Sequence, residues 1–158
     1  MIVHPIPPLF GKDSKTLILG SFPSVKSREA AFFYGHPQNR FWPVIAAVFD
    51  SKKPVTIEEK KELALSNRLA LWDVIGQCEI EGSADSTIRN VTANDLSVIL
   101  ENSKVDRIFV NGKTAEKYYN KYTYPKTGIK AICLPSTSPA NAAWSFERLV
   151  EAWGIIKE

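Results

Sequence analysis

Three short segments hold the residues of this chain best suited to chemistry. Gly20-Ser21-Phe22-Pro23-Ser24 ends the apolar run Leu17-Ile18-Leu19. Pro135-Ser136-Thr137-Ser138-Pro139-Ala140-Asn141 ends a second run, Ala131 to Leu134. Between them Tyr34-Gly35-His36-Pro37-Gln38-Asn39-Arg40-Phe41-Trp42 mixes aromatic rings with an amide, an imidazole and a guanidinium, and is too polar to be core. Hydroxyls, amides and rings suit stacking and hydrogen bonding to a ligand. Covalent attack fits less well, because no Gly-x-Ser-x-Gly occurs and Ser21, Ser136 and Ser138 have no histidine base nearby in sequence.

Other chemistries find little support. Asn111-Gly112-Lys113-Thr114 mimics the end of a P-loop, but Arg107 stands where that loop needs its first glycine. No Gly-x-Gly-x-x-Gly marks a dinucleotide site. The two cysteines, Cys78 and Cys133, form no Cys-x-x-Cys pair and read as buried free thiols. His4 and His36 are too few and too far apart to suggest a metal site, so none is expected.

The elements that must position these segments follow from hydrophobic pattern. Leu17–Gly20, Leu69–Trp72, Arg107–Val110 and Ala131–Leu134 read as short buried strands. Phe41, Val44, Ile45, Val48 and Phe49 share one helical face. Thr56-Ile57-Glu58-Glu59 resembles a capping box for a helix through Leu65. Asn94 is expected to cap a helix carrying Leu96, Ile99 and Leu100, and Thr114 to Tyr122 reads as helical. Ser138 is expected to cap the last helix, with Pro139 in its first turn and Phe146, Leu149, Val150 and Trp153 as its buried stripe. Trp42 lies off the stripe of its helix and reads either as core or as facing the pocket. Alternating strands and helices predict a three-layer α/β/α fold around a four-stranded parallel sheet. Its strand C-termini, Gly20-Ser21-Phe22, Trp72-Asp73, Asn111-Gly112 and Pro135-Ser136, converge on one edge, where such sheets bind ligands.

With 158 residues, one domain spanning 1–158 is expected. The net charge of +3 permits an anionic partner without requiring one. No apolar run approaches a membrane span, and Met1 to Phe10 does not read as a signal peptide, so a soluble cytoplasmic protein with no membrane partner is expected.

Taken in order, the segments resemble the signature blocks of the uracil-DNA glycosylase superfamily, and more narrowly its hypoxanthine (deoxyinosine) branch. The stretch from Leu71-Trp72-Asp73-Val74-Ile75 through Gly82-Ser83-Ala84-Asp85-Ser86-Thr87-Ile88-Arg89-Asn90 fits that branch too. The resemblance covers nearly the whole chain. It implies the four-stranded, helix-sandwiched fold, no cofactor, and a DNA partner carrying a deaminated base. It implies base flipping, which costs a few kcal/mol and least at a mispair, then hydrolysis of the N-glycosidic bond. Hypoxanthine is the leading base and uracil the rival. No obligate protein partner is implied, and a monomer acting on genomic DNA is expected.

The resemblance also distributes roles. Phe22 is the stacking face, and backbone N–H groups around Ser21 and Phe22 can receive charge on the departing base; Phe22 also reads as a core residue at a strand end. Many relatives place an acid or amide after the first strand, where this chain has Ser21. The hypoxanthine branch instead uses the asparagine matching Asn39, whose amide oxygen would orient water while catalysis rests on positioning and on stabilising an oxocarbenium-like sugar. Asn39 reads equally as a cap for the helix near Phe41. Asp73 would accept a purine N–H, or is a solvated turn aspartate. Tyr34 and His36 would line the pocket mouth. Ser136, Thr137 and Ser138 would hold a DNA phosphate at the start of the last helix, with Pro139, Ala140 and Asn141 in the loop that enters the base stack. That loop lacks the bulky wedge of many relatives, and its block lacks the histidine that some branches use on the departing base. An inactive lesion-DNA binder and an enzyme on free nucleosides stay open.

Overall fold

The computed structural model describes residues 1–158. In chain order the elements are β1 (Ile2–Val3), β2 (Thr16–Gly20), α1 (Val25–Ala30), α2 (Phe41–Val48), α3 (Ile57–Ser66), β3 (Leu69–Asp73), β4 (Ile75–Glu79), β5 (Arg89–Ala93), α4 (Ser97–Leu100), β6 (Arg107–Asn111), α5 (Lys113–Tyr118), α6 (Tyr124–Thr127), β7 (Ala131–Leu134) and α7 (Phe146–Trp153). A π-helical turn over Tyr119–Thr123 joins α5 to α6, and a 3₁₀ turn over Gly154–Lys157 follows α7.

The main sheet is parallel in the order β3-β2-β6-β7, and its four strands match the predicted ones to within a residue. Buried parallel strands must be apolar on both faces, and alternation along each strand feeds two cores. Ile18, Leu71 and Phe109 point toward α2, α3 and α7, where Trp153 is fully buried. Leu17, Leu19, Ile108 and Val110 point toward α4 and α5. Three layers result, as expected from the pattern. The capping box of α3 forms with both of its hydrogen bonds, from Thr56 and Glu59.

Several local expectations are corrected. The chain carries a second, antiparallel sheet, β1-β4-β5, that the sequence pattern did not reveal, because β5 is mostly exposed and β4 only half-buried. Asn94 does not cap α4; its amide donates to the Asp73 and Ile75 carbonyls, while the Asp95 carboxylate accepts from Ser97 N–H. The last helix starts at Phe146 with Ser145 as its cap, not at Ser138. Ser138 Oγ instead accepts from Ala140 N–H, and turns at Ser138–Asn141 and Asn141–Trp144 carry the chain onward. Small hydroxyl and amide side chains bond the backbone as readily in turns as at caps, so that signal was ambiguous. Phe146 is exposed rather than part of the buried stripe, Cys133 is only half-buried, and Trp42 is core, with its indole N–H on the Phe33 carbonyl.

Candidate active site at the strand C-termini

A cavity of about 310 Å³ opens where β2, β3, β6 and β7 end. Gly20 forms its floor. Parallel register sets Gly20 beside Asp73, and a Cβ on Gly20 would collide with Asp73 Oδ1. Glycine is therefore what admits the carboxylate to the cavity. Asp73 Oδ2 accepts from His4 Nε2 at 2.8 Å. His4 Nδ1 accepts from Ile6 N–H, which places the neutral ring's proton on Nε2. The solvated-turn reading of Asp73 is thereby excluded, since the residue is 4% exposed. Asp73 and His4 form a buried, oriented acceptor with Oδ1 turned to the cavity.

Tyr34 faces the same point. Its hydroxyl lies 3.3 Å from the position of a Gly20 Cβ and, although buried, has no hydrogen-bond partner. Its ring stacks on Phe41, centroids 3.9 Å apart, and its φ of 55° is left-handed, a conformation unusual for an aromatic residue. Burial pushes the phenol pKa far up and the Asp73 charge adds to the shift, while the nearby Asn111 amide, outside hydrogen-bond geometry, pulls the other way. Phe22 is a core residue, as one reading had it, and also lines the cavity, edge-on to His4 at 5.9 Å.

The opposite wall is a directed chain of hydrogen bonds. Asn111 clamps Thr137 with both ends of its amide: Nδ2 donates to Thr137 Oγ1 at 3.0 Å and Oδ1 accepts from Thr137 N–H at 3.1 Å. Thr137 Oγ1 donates to Asn39 Oδ1 at 2.9 Å, and the same oxygen accepts from Phe41 N–H at 2.9 Å. Arg40 holds the N-cap position of α2, so Asn39 is not the cap expected in one of its two readings, although from the preceding position it does bond the helix's first N–H. Its amide oxygen has both lone pairs engaged, leaving the NH₂ group as the polar handle without a protein partner.

Arg40 pins the following loop, donating to the carbonyls of Ser138 at 3.3 Å, Asn141 at 3.0 Å and Trp144. Trp153 Nε1 holds the Pro135 carbonyl from below. Ser136, Thr137, Ser138, Pro139 and Ala140 line the cavity as a loop, with no helix N-terminus among them. Asn141 lies outside it, in an adjoining groove, with its amide on the Ser136 carbonyl. His36 sits on the lining, its Nδ1 accepting from Gln38 N–H.

Ser21 Oγ points to Asp85 Oδ1 at 3.4 Å across the cavity mouth. The loop bearing Asp85 is latched by Ser83 Oγ, which accepts from Val25 N–H, and by the Gly82 carbonyl, which accepts from Arg28. Asp85 keeps contact with solvent at the mouth, but the surrounding protein strips part of its hydration and pushes the carboxyl pKa up; hydrogen bonds from Thr114 and Ser21 pull the other way, and Asp73 adds to the rise.

All of the expected base-contacting residues, Ser21, Phe22, Tyr34, His36 and Asp73, meet in this cavity with Asn39. Sequence reasoning missed His4, Asn111 and Asp85. His4 comes from β1, a two-residue strand with no readable pattern. Asn111 lay at the expected ligand-binding sheet edge and in a false P-loop, but was given no role. Asp85 lay inside a segment noted for its resemblance but given no role.

The family model for the uracil DNA glycosylase superfamily matches residues 7–157. A protein from Methanosarcina acetivorans named hypoxanthine DNA glycosylase is 34% identical over 150 residues, covering 94% of each chain. One of the same name from Methanosarcina barkeri is 28% identical over 137 residues, covering 85% of each. The solution NMR structure of a Methanosarcina acetivorans protein provisionally described as a uracil DNA glycosylase superposes with a TM-score of 0.81 at 30% identity over the whole of both chains. The chain belongs to the uracil DNA glycosylase superfamily.

Proposed function

We propose that this protein is a DNA glycosylase that releases hypoxanthine from deoxyinosine. It flips the deaminated base into the cavity and hydrolyses the N-glycosidic bond, leaving an abasic site. The observation that carries the reading is the pair of polar atoms above Gly20. Asp73 Oδ1 is an acceptor fixed by His4, and the Tyr34 hydroxyl is a buried donor without a partner. Hypoxanthine presents the complement, a ring N–H beside a carbonyl. Adenine presents the reverse, an acceptor nitrogen beside an amine, and would leave both protein groups unpaired, which costs about 1–3 kcal/mol for each such group. Uracil carries the same N–H and carbonyl edge and is the second deaminated base that the pair accepts. Guanine and thymine share that edge, so the pair discriminates against adenine and cytosine, and exclusion of the other two falls to the rest of the cavity.

Phe22 supplies the face on which the base stacks, and Ser21 and His36 border it. The Asn39 NH₂ is available to the departing base or the sugar, while Thr137 and Asn111 fix its orientation. The Ser136–Asn141 loop, held by Arg40, contacts the DNA strand through hydroxyls and backbone N–H groups, and the net charge of +3 favours phosphate contact. The chain acts as one domain and as a monomer inside the cell; no helix is long and apolar enough to cross a membrane.

The test is base release from labelled oligonucleotides bearing one deoxyinosine or one uracil, single- and double-stranded, with Asn39→Ala as control. Hypoxanthine release that collapses in the variant supports the reading. Release of uracil alone moves the protein to a neighbouring branch. Binding of lesion DNA without release makes it an inactive binder, and release from free deoxyinosine with little DNA binding makes it a nucleoside enzyme.

A further inference from the structure

Hydrolysis needs a group that takes a hydrogen from the attacking water, and most acceptors around the cavity are already committed. Asn39 Oδ1 accepts from both Phe41 N–H and Thr137 Oγ1. Asn111 is clamped at both ends to Thr137. His36 Nδ1 accepts from Gln38 N–H, so the neutral ring carries its proton on Nε2 and donates from there. Ser136 Oγ and Ser138 Oγ accept from Ser138 N–H and Ala140 N–H, and hydroxyls are poor proton acceptors. Asp73 is bound to His4 at the cavity floor, where the edge of the base lies.

Asp85 remains. It accepts from Thr114 and, at a long 3.4 Å, from Ser21, and a carboxylate with about four acceptor sites keeps capacity for a water. It is exposed at the mouth. A flipped base enters floor-first while its sugar stays joined to the strand outside, so the mouth is the level of the sugar. We infer that Asp85 is a further catalytic residue, the carboxylate that receives the proton of the attacking water. The inference rests on the glycosylase reading above. In the step, the water oxygen bonds to the sugar C1′ and the C1′–N bond breaks. Its electron pair leaves with the base, one water proton passes to Asp85, and that proton then goes to the departed base. Proton acceptance of this kind contributes roughly 10²–10⁴-fold. The same negative charge also favours the positive sugar of the transition state.

The pH dependence follows from the surroundings of Asp85. Asp73 faces it across the cavity and Cys78 and Tyr118 lie behind its loop; burial pushes both of the latter upward, so they stay neutral through neutral pH. Lys113 lines the adjoining groove, and Arg28 holds the loop at Gly82. Neither cation leads among the influences on the carboxyl, whose pKa is raised, so the acid limb of the rate lies above the ordinary carboxylate range near about 4.

The experiment compares wild type with Asp85→Asn and Asp85→Ser, measuring single-turnover hypoxanthine release against pH, lesion-DNA binding and melting temperature. Expected is a loss of about a hundredfold or more in rate, disappearance of the acid limb, and DNA binding unchanged or tighter, since a charge that repels phosphate is removed. A variant rate within a few-fold of wild type overturns the inference. An acid limb that persists in the variants assigns the proton to another group and likewise overturns it. Loss of rate together with loss of binding or of folding makes Asp85 structural and also overturns it. Absence of release by the wild type refutes the glycosylase reading itself, and the inference with it.

Discussion

The carboxylate of Asp73 occupies the space in which a side chain on Gly20 would begin. These residues are partners in the β2–β3 register, and the missing Cβ lets an acidic oxygen look into the cavity from the sheet. Gly20→Ala is therefore expected to push Asp73 off its position and strain its bond to His4. Overpacking of this kind costs about 1–3 kcal/mol. Thermal melting should show the loss, and hypoxanthine release should fall with it. An alanine variant that melts and turns over like wild type would show that the carboxylate does not need this opening.

His4 holds the other oxygen of the same carboxylate. His4→Ala leaves Asp73 Oδ2 buried without a donor, for a loss of about 2 kcal/mol in denaturant unfolding. Asp73→Asn in that background removes the charge that His4 served. The double variant is expected to recover part of the stability, so that the two losses are not additive. Full additivity in the cycle would mean that His4 contributes packing alone.

Thr137 governs Asn39 through one direct hydrogen bond. It is 1% exposed, and its hydroxyl relays from Asn111 to the Asn39 amide oxygen. Thr137→Val keeps the shape but leaves an Asn111 N–H unpaired and Asn39 Oδ1 with one donor. Release is expected to slow about tenfold or more while lesion-DNA binding holds. Thr137→Ser, which keeps the hydroxyl, should restore most of the rate. Equal rates for the valine and serine variants would exclude a role for the hydrogen-bond relay.

The buried parallel sheet was legible because each strand is a short apolar run ending in small residues, as in Leu17–Gly20 and Ala131–Leu134. The hairpin of β4 and β5 was not, because a half-exposed pair such as Ile75–Glu79 and Arg89–Ala93 has no continuous apolar run to read. At the site, Asn39 and the residues around Gly20 stand in distinctive local blocks and were visible as candidates. His4 and Asp85 reach the cavity only through tertiary packing, from 69 residues before Asp73 and 64 residues after Ser21. Ser138 shows the reverse failure, a correct capping residue type used in a turn.

Tyr34 separates binding from stability most cleanly. Its hydroxyl is buried and its proton has no acceptor, so in the free protein the group carries a desolvation cost that no hydrogen bond donated by it offsets. Tyr34→Phe keeps the stack on Phe41 and removes that cost, so the melting temperature at neutral pH should stay the same or rise. The phenol pKa is raised by burial and by Asp73, which means that folding favours the protonated form. Stability from this group is thus complete below the ordinary tyrosine value of about 10 and is lost as pH rises beyond it, and the phenylalanine variant should lack that alkaline loss. Because the hydroxyl stays protonated throughout the neutral range, its donor role gives the rate no titration there. Release of hypoxanthine should nonetheless fall about tenfold, since the base carbonyl then enters the pocket without a donor. A variant that is both more stable and slower marks Tyr34 as a group held for the substrate, whereas one that is stable and equally fast would leave Asp73 to read the base alone.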